Sequence, residues 1–310
     1  MSHEIINDYD PWWHFCHPRY WPTWLLLGVL RVLVLLPYVW ILKIGQKIGG
    51  IGYYFAKKRR HITEVNLRLC FPHIDEKTRT LWVKECFMST GIGVLEMAMS
   101  WWWPLQRLRG LITFKGEEHL QAAINTQRGV LALGSHFTTL DLIGRLMALD
   151  HEFYVTYRNT KNRCIDALMQ GKRQEVYAGS IHRHDIKRLL RVLKNKGVVW
   201  FAPDQDYGRK HSVFAPFFGV PAATLSATAR IAQMTGAVVL PSVQYRLPDG
   251  KGYLIEVLPA IENFPSSDPV IDATRINQYV EYAILQVPTQ YLWQHRRFKT
   301  TPDGGKGPYT

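Results

Sequence analysis

The chain has 310 residues, of which 47% are hydrophobic and 20% are charged. This composition predicts a folded protein with a sizeable core and excludes an intrinsically disordered one. The formal net charge of +13 indicates an anionic partner, which can be a nucleic acid, an anionic membrane face or an acidic substrate. The cysteines are too scattered for a zinc site or a disulfide framework and predict free thiols in a reducing compartment; they are Cys16, Cys70, Cys86 and Cys164.

The first predicted element is an apolar run from Trp24 to Leu42, interrupted only by Arg31 and Pro37. A helix of this length, rising ~1.5 Å per residue, would nearly match the ~30 Å hydrocarbon core of a bilayer. We therefore expect residues 1–44 to form an N-terminal membrane-anchoring helix. Because Arg31 is costly at the centre of a bilayer, a shallow interfacial helix is an alternative, and a buried core helix is another.

The charges on either side of this run predict its orientation. Residues 1–23 carry three acidic residues and one arginine, whereas Lys43, Lys47 and the basic block 57–60 follow the run. By the positive-inside rule, the main domain would face the cytoplasm. Four tryptophans would form an interfacial belt at the other end of the run: Trp12, Trp13, Trp21 and Trp24.

Residues 45–300 form one predicted domain in which strands alternate with helices. The predicted helices cover 62–103, 140–149, 163–177, 185–196, 224–234 and 272–285, and the strands cover 129–134, 152–157, 198–202, 237–246 and 253–258. This alternation predicts an α/β fold, a mixed sheet flanked by helices, with ligands at the carboxyl edge of the strands. Glu96 and the tryptophans 101–103 are expected at the membrane surface. The Gly- and Pro-rich stretch 301–310 is expected to be a flexible tail.

The strongest catalytic signal is the segment Gly134 to Asp141, which directly follows a buried strand. Transfer of an acyl group to an alcohol needs a base, and the unperturbed pKa of histidine, ~6.5, suits His136 to that task. Asp141, across the turn into the next helix, could hold one ring nitrogen of His136. The alternative is that His136 caps the helix and Asp141 faces solvent.

Charged residues follow two other predicted strands. Arg158, just past one strand, offers a planar fork to a phosphate or an oxyanion, although an ordinary surface charge is the simpler interpretation. Asp204 follows another strand and could order the site by bonding Arg158 or a backbone amide. Arg209 and Lys210 could bind acceptor phosphates, or belong to a solvated turn.

Several long motifs lie in order along the chain. They are HPRYWPTWLLLGVL (17–30), NLRLCFP (66–72), QRGVLALGSHF (127–137), APDQDYGRKHSVFAPFFGVPAAT (202–224) and QYLWQHRRFKT (290–300). Together with the His-x4-acid spacing, they resemble the late acyltransferases of lipid A biosynthesis almost from end to end. The resemblance is greatest to the branch of lauroyl and palmitoleoyl transferases that act on a Kdo-bearing tetraacyl precursor.

The resemblance implies a glycerolipid-acyltransferase-like fold and an enzyme of the inner membrane. The donor would be acyl-acyl carrier protein, and the acceptor would be the hydroxyl of a 3-hydroxyacyl chain on Kdo-lipid IVA, an anionic glycolipid. His136 and Asp141 would be catalytic, with Arg158, Asp204, Arg209 and Lys210 binding substrate. No covalent intermediate, metal, cofactor or nucleic acid is implied. Many relatives carry glutamate at the position of Asp141, and prolines where this chain has 157–163, so acyl-chain length is not predicted.

Two other functions remain open from the residues alone. A lipid hydrolase could use Ser135 as its nucleophile, although the chain lacks a Gly-x-Ser-x-Gly elbow there. A non-catalytic membrane protein that binds anionic lipid would also fit the basic charge.

Three further segments have open roles. The basic face of helix 185–196 could dock an acidic carrier protein, and 213–219 could line an acyl groove or belong to the core. Residues 295–297 could bind the acceptor or lie on the surface.

Overall fold

The computed structural model describes residues 12–309. Its helices are α1 Trp21–Leu33, α2 Tyr38–Phe55, α3 Lys57–Cys70, α4 Glu76–Trp102, α5 Leu105–Arg109, α6 Glu117–Asn125, α7 Leu140–Met147, α8 Arg163–Val176, α9 Ile186–Lys194, α10 Ala227–Thr235 and α11 Pro269–Gln286. Its strands are β1 Ile112–Lys115, β2 Val130–Leu133, β3 Tyr154–Tyr157, β4 Gly179–His182, β5 Val198–Phe201, β6 Ser212–Phe217, β7 Val220–Leu225, β8 Val238–Arg246 and β9 Tyr253–Val257.

Seven strands form a mixed sheet in the order β1-β9-β8-β2-β5-β3-β4. Strands β8, β2, β5, β3 and β4 are parallel to one another, and β9 is antiparallel to β8. All four residues of β2 are buried, because a central parallel strand is covered on both faces and must be apolar throughout. The mixed sheet flanked by helices confirms the predicted fold class.

The apolar run 24–42 is not one helix but parts of two. Helix α1 ends at Leu33 and α2 begins at Tyr38, with Pro37 as its N-cap residue. Proline has no amide hydrogen and restricts the residue before it, which disfavours a continuous helix through this position. Within residues 12–309, no helix is both long and apolar enough to cross a membrane.

Helix α2 crosses the predicted boundary between residues 44 and 45 and packs tightly against α4. A Cβ atom on Gly49 would overlap the carbonyl oxygen of Phe87, and one on Gly91 would overlap the backbone of Gly45 and Gly49. Glycines therefore let the two backbones meet directly. This contact ties the N-terminal helices to the rest of the fold.

The expectation that Glu96 lies at a membrane surface was wrong. Glu96 is fully buried and receives two hydrogen bonds from Arg246, at 2.6 and 2.7 Å, and one from the hydroxyl of Tyr253 at 2.6 Å. A buried carboxylate is tolerated only with such partners. Trp101 and Trp103 are also buried, so this end of α4 is core.

The segment 213–219, which lacked a strand period in the sequence, forms most of β6 and the turn that joins it to its antiparallel partner β7. Phe217 packs in the core with Trp293 and Phe298, which supports the core interpretation over an acyl groove.

The stretch 301–310, expected to be a flexible tail, is held at Tyr309. The Tyr309 hydroxyl donates to Asn66 Oδ1 at 2.5 Å and accepts from the amide of Phe298 at 2.9 Å.

Candidate active site

The sheet itself brings His136 and Asp204 together. Strands β2 and β5 are parallel neighbours in which Leu133 lies opposite Phe201. His136 and Asp204 each lie three residues beyond this pair, so both emerge at the same carboxyl edge. His136 Nδ1 lies 2.6 Å from Asp204 Oδ1, and the His136 amide donates to Asp204 Oδ2 at 2.9 Å. The aspartate therefore fixes both the backbone and the ring of the histidine.

Tyr291 completes this arrangement from a distant part of the chain. Its hydroxyl donates to Asp204 Oδ2 at 2.9 Å. The segment carrying it pairs with the loop after β2, through a bridge between Phe137 and Tyr291 and a hydrogen bond from the Leu292 amide to the His136 carbonyl at 2.9 Å. Asp204 thus has three hydrogen bonds and is 1% exposed.

The environment sets opposite charges on the pair. Burial favours a neutral carboxyl at Asp204, but the charge and hydrogen bonds of His136, with the hydroxyl of Tyr291, hold the pKa of Asp204 well below its usual range. Burial also favours a neutral imidazole, yet the charge and the hydrogen bond of Asp204, with a smaller contribution from Asp141, together raise the pKa of His136 above its usual value. Asp204 is therefore an anion that stabilises the protonated form of His136.

Asp204, and not Asp141, holds the ring nitrogen of His136. Asp141 lies on the first turn of α7, makes no hydrogen bond to the imidazole, and acts on it through charge. The sequence had predicted Asp141 for this contact, because Asp141 lies close to His136 in the chain. The neighbouring strand β5 supplies a carboxylate with a better position.

The side chain of Asp141 instead lines a cavity of about 60 Å³ at the carboxyl edge of the sheet. Burial raises the pKa of Asp141, while the nearby charges of Arg173 and His136 oppose that rise. One guanidinium nitrogen of Arg173 is buried and has no hydrogen-bond partner in the described part of the chain. The remaining walls are mostly apolar: Leu140, Gly144, Met147, Phe153, Val155, Thr156, Tyr177, Trp200 and Gln244.

His136 is accessible, whereas Ser135 is not. The side chain of His136 is 24% exposed, and its Nε2 has no hydrogen-bond partner among residues 12–309. Ser135 is 3% exposed, and no hydrogen bond joins its hydroxyl to the imidazole next to it. The geometry is that of a base open to a substrate and does not provide an activated serine nucleophile.

Comparison with known proteins identifies the family. The family model described as "Bacterial lipid A biosynthesis acyltransferase" matches residues 11–300. The chain belongs to this family.

Among its relatives, the chain is 41% identical to the lipid A biosynthesis lauroyltransferase of Escherichia coli (strain K12), over 93% of this chain and 94% of that protein. It is 39% identical to the lipid A biosynthesis palmitoleoyltransferase of the same organism, over 95% of this chain and 96% of that one. The Escherichia coli lipid A biosynthesis myristoyltransferase is 28% identical over 99% of this chain. The chain is therefore an acyltransferase of lipid A biosynthesis.

The basic residues predicted for this acyltransferase make no hydrogen bond to His136 or Asp204. Arg158 follows β3, is exposed, and is near enough to influence the pKa of Tyr207. Arg209 donates to the carbonyls of Thr301 at 2.7 Å and Pro302 at 2.8 Å, and so holds the C-terminal segment. Lys210 is exposed on the same short turn.

The C-terminal motif contributes more to the site than the sequence predicted. Burial lowers the pKa of His295 to about 4, so this second histidine is neutral, and its Nε2 accepts from the amide of Asp206 at 3.3 Å. Arg297 is buried and donates to the carbonyl of Ala223 at 2.7 Å, which is a structural role. The only sequence signal for Tyr291 was its place in the long motif 290–300.

Proposed function

We propose that this acyltransferase moves a fatty acyl group from acyl-acyl carrier protein to the hydroxyl of a 3-hydroxyacyl chain on Kdo-lipid IVA, with His136 as general base. The observation that carries the proposal is the imidazole held at Nδ1 by a buried aspartate, with a side chain that is 24% exposed and no hydrogen-bond partner at Nε2 among residues 12–309. The lauroyl and palmitoleoyl transferases of lipid A biosynthesis among its relatives support transfer of a fatty acyl group to a lipid A-type acceptor. The choice of donor and of the Kdo-bearing acceptor rests on the motif resemblance.

The proposed reaction is a direct transfer. Nε2 of His136 takes the proton of the acceptor hydroxyl while the hydroxyl oxygen attacks the thioester carbonyl carbon. The new C–O bond replaces the C–S bond, and the imidazolium returns its proton to the departing thiolate. Asp204 keeps the ring in one orientation and stabilises the imidazolium that forms between the two steps. No acyl-enzyme is needed, because both substrates are present together.

Asp141 and the basic residues have supporting roles in this proposal. The charge of Asp141 adds to that of Asp204 and stabilises the imidazolium from the cavity side. Arg158, Arg209 and Lys210 bind the phosphates and carboxylates of the anionic acceptor, because guanidinium and ammonium groups at a site edge suit such ligands. Exposure of all three residues is compatible with that role.

The acceptor is a lipid, and we propose that α1 and α2 bind the inner membrane from its cytoplasmic side. Large apolar side chains are exposed on both helices, including Leu25 at 72%, Val32 at 64% and Phe55 at 83%. Exposed apolar surface on this scale is typical of a protein or membrane interface. Lys43 and Lys47 lie on α2 beside this surface, where they can meet anionic head groups.

Vesicle binding tests the membrane part of the proposal. Leu25→Glu with Val32→Glu should weaken sedimentation with phosphatidylglycerol vesicles about ten-fold or more, because each change replaces an exposed apolar group that would enter the membrane with a charge. Ile186→Glu is the matched control, since Ile186 is also an exposed apolar residue, 46% exposed, but lies on α9. Equal binding by the double variant and the control would reject this surface.

Acyl transfer itself is tested with purified protein, the tetraacyl Kdo precursor and a series of acyl-acyl carrier proteins, followed by mass measurement of the lipid product. We expect one added acyl group with the wild type and a loss of roughly 10²–10⁴ in rate with His136→Ala. Ser135→Ala, the adjacent control, should retain activity. An equal loss in both variants would favour a serine hydrolase, and full activity of His136→Ala would reject the base.

A further inference from the structure

Strand β8 extends past its neighbour β2, and the side chain of Gln290 binds the part that extends. Strand β2 pairs with β8 as far as Pro241, whereas β8 continues to Arg246. Gln290 Oε1 accepts from the Arg246 amide at 2.8 Å, and Gln290 Nε2 donates to the Arg246 carbonyl at 2.9 Å. These are the two hydrogen bonds that a residue of an antiparallel strand would exchange with Arg246, so the carboxamide takes the place of a further strand.

The backbone around Gln290 holds the loop that carries the base. The Gln290 carbonyl accepts from the Thr138 amide at 2.9 Å, and the Leu292 amide donates to the His136 carbonyl at 2.9 Å. The two bonds make a short antiparallel pair between the segment 290–292 and the loop after β2. The loop is therefore attached to the sheet through a segment that Gln290 anchors.

The residue that follows Gln290 is Tyr291, whose hydroxyl donates to Asp204 at 2.9 Å. A shift of Gln290 would therefore move this hydroxyl relative to the carboxylate. The segment also has a second anchor, because the indole of Trp293 is fully buried and donates to the carbonyl of Pro288 at 2.7 Å. Loss of the carboxamide should let the segment shift without detaching it from the core.

Arg246, to which the carboxamide binds, is itself fixed in place. Its side chain is buried and donates twice to Glu96 and once to Ser89, at 3.4 Å for Ser89. The hydroxyl of Ser89 in turn lies 2.7 Å from the hydroxyl of Thr138 in the catalytic loop. Gln290 thus links the loop of the base to a residue of the sheet that a buried ion pair holds rigidly.

We propose that Gln290 is a positioning residue for acyl transfer, because its carboxamide fixes the segment 290–292 on the end of β8. The segment in turn sets how the loop of His136 and the hydroxyl of Tyr291 meet Asp204. This inference rests on the proposed function, in which His136 is the base. A misplacement of about 1 Å at a reaction centre can cost roughly 10²-fold in rate, so an anchor outside the centre is sufficient to control it.

Gln290→Met tests this role, because methionine has a similar length but cannot make the two hydrogen bonds to Arg246. With dodecanoyl and hexadecenoyl carrier proteins and the tetraacyl Kdo precursor, kcat should fall about ten- to hundred-fold. KM for both substrates should keep its wild-type value, because no substrate contact is removed. Gln290→Glu, a second variant, keeps an acceptor for the Arg246 amide and loses the donor to the carbonyl, so kcat should fall in it as well.

Gln294→Met is the matched control. Gln294 lies in the same motif, but its side chain donates to Thr90 on α4 at 2.8 Å and not to the sheet. Both methionine variants should lose stability in urea denaturation, and only Gln290→Met should lose kcat. An equal loss of kcat in the two variants would overturn the inference, because lost stability alone would then explain it.

A readout that does not depend on activity is the low-field NMR signal of the proton between His136 Nδ1 and Asp204 Oδ1, which His136→Ala removes. Displacement of the loop weakens this bond, so the signal should move upfield in Gln290→Met and stay in place in Gln294→Met. With an active wild type, wild-type kcat in both Gln290 variants would overturn the inference. If the wild type transfers no acyl group, the proposed function fails, and an unmoved signal would then reject the positioning of His136 as well.

Discussion

His136 and Asp204 are joined twice, through the backbone amide at 2.9 Å and through ring atom Nδ1 at 2.6 Å. The first bond fixes where the histidine lies and the second fixes how its ring is turned. A single buried carboxylate thus positions the base and stabilises its charged form. This double contact is the basis of the first prediction.

Asp204→Asn should lower the rate of acyl transfer by roughly 10²–10⁴, because the amide cannot stabilise an imidazolium as a carboxylate does. Tyr291→Phe should lower it about ten-fold or less, since it removes one hydrogen bond to Asp204 and leaves the carboxylate in place. The measurement is kcat with a saturating lipid acceptor. A larger loss with Tyr291→Phe than with Asp204→Asn would contradict this order.

Asp141→Asn should also lower kcat, but only when His136 is present. Asp141 acts on the imidazole through charge, so its effect has no target once the ring is removed. We therefore expect Asp141→Asn to add nothing to the loss caused by His136→Ala, as a double-mutant cycle would measure. Additive losses would mean that Asp141 contacts a substrate directly.

Glu96→Gln should lower the free energy of unfolding by about 3–5 kcal/mol, because it leaves the buried guanidinium of Arg246 without its anion. Urea denaturation followed by circular dichroism measures the change. Replacing both residues with apolar ones, Glu96→Leu and Arg246→Met, should recover much of the loss. Stability unchanged in Glu96→Gln would show that the pair contributes nothing.

The sequence predicted the central strands β2 and β5 well, because they are short apolar runs bounded by turn residues. It missed β1 and β4, the two edge strands, which mix polar with apolar side chains and in which Ile181 alone is fully buried. It missed the break between α1 and α2 because hydrophobicity outweighed Pro37 in the interpretation of the run. The backbone restriction at Pro37, and not the apolar composition of the run, decided where the helix is broken.

The candidate site was predictable only in part. His136 follows a buried strand, which is a local signal, but its carboxylate partner lies 68 residues away along the chain. That pairing depends on which strands are neighbours and in what register, and strand order is a tertiary property. Tyr291 lies beyond α11, and no residue near it in the chain indicates its contact with Asp204.

The pH dependence of single-turnover acyl transfer tests the central claim most directly. The base must be neutral to accept a proton, so the wild-type rate should rise as pH increases through the pKa of His136, which Asp204 raises above its usual value. In Asp204→Asn that contribution is lost and burial lowers the pKa, so the acid limb should move to lower pH while the plateau falls. An acid limb at the same pH in both proteins would contradict the account.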